Sequence, residues 1–144
     1  MNNFETLDAL IDAMYRSVSG PEPGLDVELQ RQVFAPQARM IRTGLNKNGT
    51  PWRTDMSVSD YEENTREFLS SMVFYEYETA RKVTHCPPYA YVLSEYEAKS
   101  DLESDELLLS GVNSIQCLYD GNRWQVTQLL WNHHSDSNKS ISPG

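Results

Sequence analysis

Residues 74–86 read FYEYETARKVTHC, residues 89–99 YAYVLSEYEAK, residues 107–119 LLLSGVNSIQCLY and residues 123–133 RWQVTQLLWNH. β-Branched and aromatic side chains recur at alternate positions in all four, the period of a strand with two unlike faces. Pro87-Pro88, the acidic SDLESDE (100–106) and Asp120-Gly121 separate them, and each is a turn former. Consecutive strands with short connections predict an antiparallel meander. Upstream the period is 3.6. Phe4, Leu7, Ile11, Met14, Tyr15 and Val18 stack on one helical face, with Asn2 and Glu5 in capping-box spacing and Gly20-Pro21 closing the segment. Residues 25–34 predict a short second helix capped by Asp26 and stopped ahead of Pro36. Residues 38–44 and 50–56 flank an Asn-Lys-Asn-Gly turn and predict a hairpin. Ser57 or Ser59 then precedes Val58, Tyr61, Thr65, Phe68, Leu69 and Met72, a third helix with a Glu62 to Arg66 ion pair. Helices first and a meander second give an α+β class: three N-terminal helices packed on the concave face of a strongly curved, mostly antiparallel sheet.

The chain has 144 residues, enough for one domain, here expected over residues 1–134. Residues 135–144, SDSNKSISPG, carry one apolar side chain and are expected to be a disordered tail. No run approaches the ~18 apolar residues of a membrane span, and MNNFETLDAL lacks the basic and apolar regions of a secretion signal. The expected address is the cytoplasm, with no membrane partner. Twelve basic against 21 acidic residues, net charge −9, repel polyphosphate and argue against nucleic acid. Cys86 and Cys117 lack CxxC spacing, which excludes a zinc knot, and both read as small buried hydrophobes. The acidic segment 100–106 lacks the glycine and ligand spacing of a calcium loop. No nucleotide-loop, zinc-protease or serine-hydrolase motif occurs. No metal or other cofactor is expected.

Three helices followed by a curled meander resemble the nuclear transport factor 2-like superfamily, in its SnoaL-like branch of cone-shaped, cystatin-like α+β barrels. Val-Phe-Ala-Pro-Gln-Ala-Arg (33–39) is similar to that family's link from second helix to first strand, and Tyr-Asp-Gly-Asn-Arg-Trp-Gln-Val (119–126) to its final hairpin. The resemblance spans roughly residues 4–133. It implies a conical cavity and, for an enzyme, cofactor-independent isomerase, cyclase or dehydratase chemistry; the scaffold also serves as a non-catalytic dimerisation or interaction module.

A two-residue turn at Asp120-Gly121 would set Asn113, Ile115 and Cys117 on one face with Trp124, Val126 and Gln128, the apolar face that meets the helices. Asn113 and Gln128 would then be buried amides, bonded to a ligand or to each other across the strands. A one-residue bulge would change which polar residues face inward, and the sequence leaves both registers open. In the strand at 89–99 the smaller set, Ala90, Val92, Ser94, Tyr96 and Ala98, is assigned inward, so Ser94 and Tyr96 offer hydroxyls to a cavity or Tyr96 caps the core. Arg42 presents a guanidinium to an acidic ligand or pairs with Glu76 or Glu78. Trp52 and Tyr61 are wall or lid residues, with core packing the other use of Tyr61. The inward faces of the last two strands hold no Asp or His, so Glu76, Glu78 and His85 are the acids and bases to nominate. Glu76 is the candidate base, with Tyr96 or Asn113 on a developing oxyanion; the alternative for both glutamates is an exposed sheet face. Adjacent His133 and His134 point apart in a strand and cannot share a metal. The opposite sheet face, with Val112, Leu129 and Trp131 beside Gln116, Gln125 and Thr127, is the expected homodimer surface.

Overall fold

The computed structural model describes residues 4–20 and 24–134; the tail at 135–144, Asn2 and the side chains of His133 and His134 lie outside the described residues. Three helices, α1 (Leu7–Arg16), α2 (Val27–Val33) and α3 (Val58–Leu69), pack on one curved sheet of β1 (Phe34–Leu45), β2 (Pro51–Met56), β3 (Tyr75–Cys86), β4 (Tyr89–Lys99), β5 (Leu109–Tyr119) and β6 (Trp124–His134). The strand order is β2-β1-β6-β5-β4-β3, antiparallel except where β1 runs parallel to β6. Among the described residues no helix is long and apolar enough to cross a membrane.

Local signals explain most boundaries. Thr6 caps α1 by accepting from the Ala9 amide, so that helix begins later than a cap at Asn2 would place it. Asp26 caps α2, and at α3 Ser57 and Asp60 form a reciprocal capping box. β1 follows α2 without a loop and passes through Pro36. Lacking an amide hydrogen, proline cannot donate to a ladder, and the β1–β6 register shifts between Phe34 and Arg39. Cys117 is buried but Cys86, at the end of β3, is exposed and corrects the expectation for it.

Two bulges decide which side chains face the helices. The β5–β6 connection is a four-residue loop, with Tyr119 opposite Trp124, and the register shifts again because Thr127 is an extra residue on β6. Asn113 therefore pairs with Trp131 and Ile115 with Leu129, all inward, while Gln128 pairs with exposed Gln116 on the outer face. In β3 the extra residue is Thr79, so Glu78 opposite Tyr96 and Arg81 opposite Ser94 share the inner face. The apolar interior falls into two clusters. One cluster contains Leu10, Ile11, Val33, Phe34, Met40, Val92, Ile115 and Val126; a smaller one contains Val18, Leu69, Phe74 and Ala98.

Candidate functional site

Residues of both clusters line a cavity of about 300 Å³ between the sheet and α3. Its deeper wall carries the buried side chains Met14, Leu69, Phe74, Tyr96, Asn113 and Leu129, whereas Arg42, Thr54, Asn64 and Phe68 are exposed and mark the mouth between the β1–β2 hairpin and α3. On α3 the lining positions Tyr61, Asn64, Thr65, Phe68 and Leu69 recur at three and four residues, so one helical face forms the roof. Tyr61 packs edge-on against Phe34 and Trp131, with ring centroids 5.6 and 5.5 Å away, and fixes α3 to the sheet. It is both wall and core.

Across the concave face one row of paired residues runs Thr54, Arg42, Trp131, Asn113, Ser94 and Arg81. Arg42 stacks its guanidinium over the Trp52 ring, 5.6 Å from the centroid. Neither glutamate pairs with it, and among the described residues no carboxylate forms an ion pair with Arg42. Trp52 thus contacts Arg42 and is not itself among the lining residues.

A polar chain lies beneath the cavity floor. The Asn113 Nδ2 donates to the Tyr15 hydroxyl at 3.0 Å, Tyr15 and Ser94 hydroxyls are 2.6 Å apart, and Ser94 donates to Glu78 Oε2 at 2.5 Å. Arg81 holds the same carboxylate through Nε and Nη2 at 3.0 and 2.8 Å and reaches Asp8 on α1. The chain has one direction. A carboxylate only accepts, so the single Ser94 hydrogen goes to Glu78, Ser94 accepts from Tyr15, and the Tyr15 oxygen is left to accept from Asn113. The Asn113 amide must therefore turn its nitrogen to Tyr15 and its Oδ1 away, and that oxygen has no partner among the described residues although the residue is only 5% exposed. Ser94 itself is fully buried in this chain and does not line the cavity.

Glu76 projects into the cavity because Ala98 opposite it faces inward. Among the described residues no side chain donates a hydrogen bond to its carboxyl. Water can enter the cavity, so the side chain keeps some accessibility, yet loss of bulk solvation pushes its pKa up to about 8. Burial raises the phenol pKa values of Tyr15, Tyr61 and Tyr96, and the nearby Glu76 charge adds to each rise.

Several sequence-based expectations need correction. Gln128 is on the outer face because of the Thr127 bulge, and the same bulge turns Leu129 and Trp131 inward, away from the expected dimer surface. His85 is exposed near the end of β3. Tyr96 donates to the Asn132 carbonyl at 2.9 Å, so its hydrogen is already committed, and the Asn113 amide offers the cavity an acceptor; neither is arranged to hold an oxyanion. Trp131 escaped the sequence reading as a cavity residue, although its place opposite Asn113 follows once the bulge is known. Among the described residues no group of three His, Cys, Asp or Glu side chains is placed to hold a metal ion.

No family model matches the chain, and no curated protein does. Solved structures match over nearly the whole length. An NTF2-like protein of unknown function from Silicibacter pomeroyi superposes with a TM-score of 0.59 at 10% identity, covering 89% of this chain and 92% of that one. A Nostoc punctiforme protein of unknown function with a cystatin-like fold gives 0.67 at 12% identity, covering 98% and 100%. A conserved protein from Planctomyces limnophilus gives 0.70 at 8% identity, covering 90% and 94%. At such identities the likeness is one of backbone architecture, and on it the chain has the NTF2-like, cystatin-like fold.

Proposed function

We propose that the chain binds a small, largely apolar molecule in the cavity beneath α3. The observation that carries this reading is the meeting of an apolar cavity with two polar groups on its wall that no described protein group engages by hydrogen bond, the Asn113 Oδ1 and the carboxyl of half-buried Glu76. A molecule that displaces the cavity water must pair with such groups, since leaving one unmatched costs about 1–3 kcal/mol. A carboxyl with a pKa about 8 is populated in both protonation forms near neutral pH, so the chemistry this site supports is proton transfer within the ligand, of the isomerase, cyclase or dehydratase kind, without a cofactor and in the cytoplasm. Glu76 takes the proton as carboxylate and returns it as acid.

Thermal melting against small carboxylates, steroids and aromatic compounds tests binding. A ligand at a hundred times its Kd adds about 2.7 kcal/mol, a shift of several degrees, and Asn113→Leu removes it. An unchanged midpoint with every compound would rule the reading out.

A second reading rests on a separate observation. On the outer face Tyr89, Tyr91 and Leu118 are exposed side by side, since Tyr89 pairs with Leu118 and Tyr91 with Gln116. We propose a homodimer through this face, with Val112 and Gln116 in it. Sedimentation should give twice the chain mass for the native protein and the monomer mass for Leu118→Lys; a native monomer at high micromolar concentration contradicts it.

A further inference from the structure

Resting on the binding role proposed above, we infer that the ligand is a flat-ringed hydroxycarboxylic acid, its carboxylate on Arg42 at the mouth and its hydroxyl donating to Asn113 Oδ1 on the floor. Three features carry this. Arg42 is a lining cation without a carboxylate partner in a chain of net charge −9, and its guanidinium is held in place by Trp52. Stacked arginine presents a planar fork that fits a carboxylate in two-point fashion. Asn113 is the second feature, and its orientation is not free: the hydrogen-bond chain through Tyr15 and Ser94 to Glu78 ends on an acceptor, so only the amide oxygen can face the cavity. Once a ligand displaces the cavity water, an acceptor in that position selects an O–H or N–H and rejects an ether or carbonyl oxygen. The third is Trp131, which stands between the two in the cross-strand row and lines the cavity. Two strand spacings separate Arg42 from Asn113, about 10 Å between backbones. A ring system lying along the indole spans that interval once both side chains reach toward it.

The two ends of such a ligand are separable in the test tube. 6-Hydroxy-2-naphthoate has both groups, 6-methoxy-2-naphthoate keeps the acid but cannot donate, and 2-naphthol lacks the acid. Calorimetric titration of the full chain should rank the first compound tightest. Loss of the carboxylate should weaken binding about tenfold or more, and loss of the donor about three- to tenfold. Arg42→Gln, at an exposed position, should abolish the advantage of the acid and leave that of the donor. Ser94→Ala releases the Tyr15 hydrogen, lets the Asn113 amide turn over, and should abolish the advantage of hydroxyl over methoxy; Tyr15→Phe serves the same purpose should Ser94→Ala not fold. Equal binding of all three compounds, or an unchanged ranking in Arg42→Gln, would overturn the inference while leaving the cavity a binding site for rings. Failure of every compound to bind, together with a flat melting screen, would remove the underlying binding role as well.

Discussion

Replacing Glu76 by Gln should stabilise the fold at pH 8 and above by roughly 3 to 5 kcal/mol and change it little near pH 4. The carboxyl has a folded-state pKa of about 8 against an ordinary value of 4.5, raised by desolvation in the cavity. Between those values the folded state holds a proton that the unfolded chain releases. Stability therefore falls with rising pH across that window, by about 1.4 kcal/mol per pH unit while the difference persists. Its contribution is fully present below pH 4.5 and is lost as pH passes 8. Glutamine keeps the shape of the protonated acid and cannot ionise, so the slope due to this site vanishes. Water admitted by the cavity solvates the charged form in part, which sets the lower end of the range. Urea unfolding at intervals from pH 4 to pH 9 measures both proteins; parallel stability curves would show that Glu76 ionises in the folded state as freely as in the unfolded one.

Gly111→Ala should cost about 3 kcal/mol or more, a fall in melting temperature on the order of 10 °C. Its added Cβ would stand 2.0 Å from the Asn132 carbonyl oxygen and 2.7 Å from the Tyr96 hydroxyl. The carbonyl belongs to β6, which is paired on both sides, by β1 and β5, and cannot yield cheaply. Tyr96 is tied to the same carbonyl by its hydrogen bond, so displacement of either breaks the contact at 2.9 Å. Adding Tyr96→Ala should recover little, because the backbone clash persists. Thermal unfolding of the single and double variants checks this, and a Gly111→Ala protein within 0.5 kcal/mol of the native would mean that β5 and β6 lie farther apart here.

The alternation of residues 89–99 was enough to place Val92, Ser94 and Tyr96 inward, and Asp26 and Ser57 marked two helix starts, because these signals are local to one segment. Asn113 faces inward as one of the two registers left open by the sequence would have it, although the two-residue turn assumed for that register is a four-residue loop. Gln128, Leu129 and Trp131 were not legible, since their facing depends on an extra residue at Thr127, and a bulge is a property of two strands paired in three dimensions. At Thr79 a hint did exist. Glu78 and Arg81 are opposite charges three residues apart in a strand, and they can share a face only if one residue between them is looped out. The hydrogen-bond chain from Asn113 to Asp8 joins α1 to three strands and carries no sequence pattern of its own.

The position of β6 between β1 and β5 has a consequence for biogenesis. As the chain leaves the ribosome, the hairpin of β1 and β2 and the meander of β3 to β5 emerge as two half-sheets with no ladder joining them. Only when residues 124–134 have been made can the seam close, so the packing of α1 and α2 on β6 and the completed concave face form last. Nascent protein is thus committed to folding late and across long sequence separations, and it is most exposed to chaperones and to self-association in the interval just before synthesis of that strand is complete.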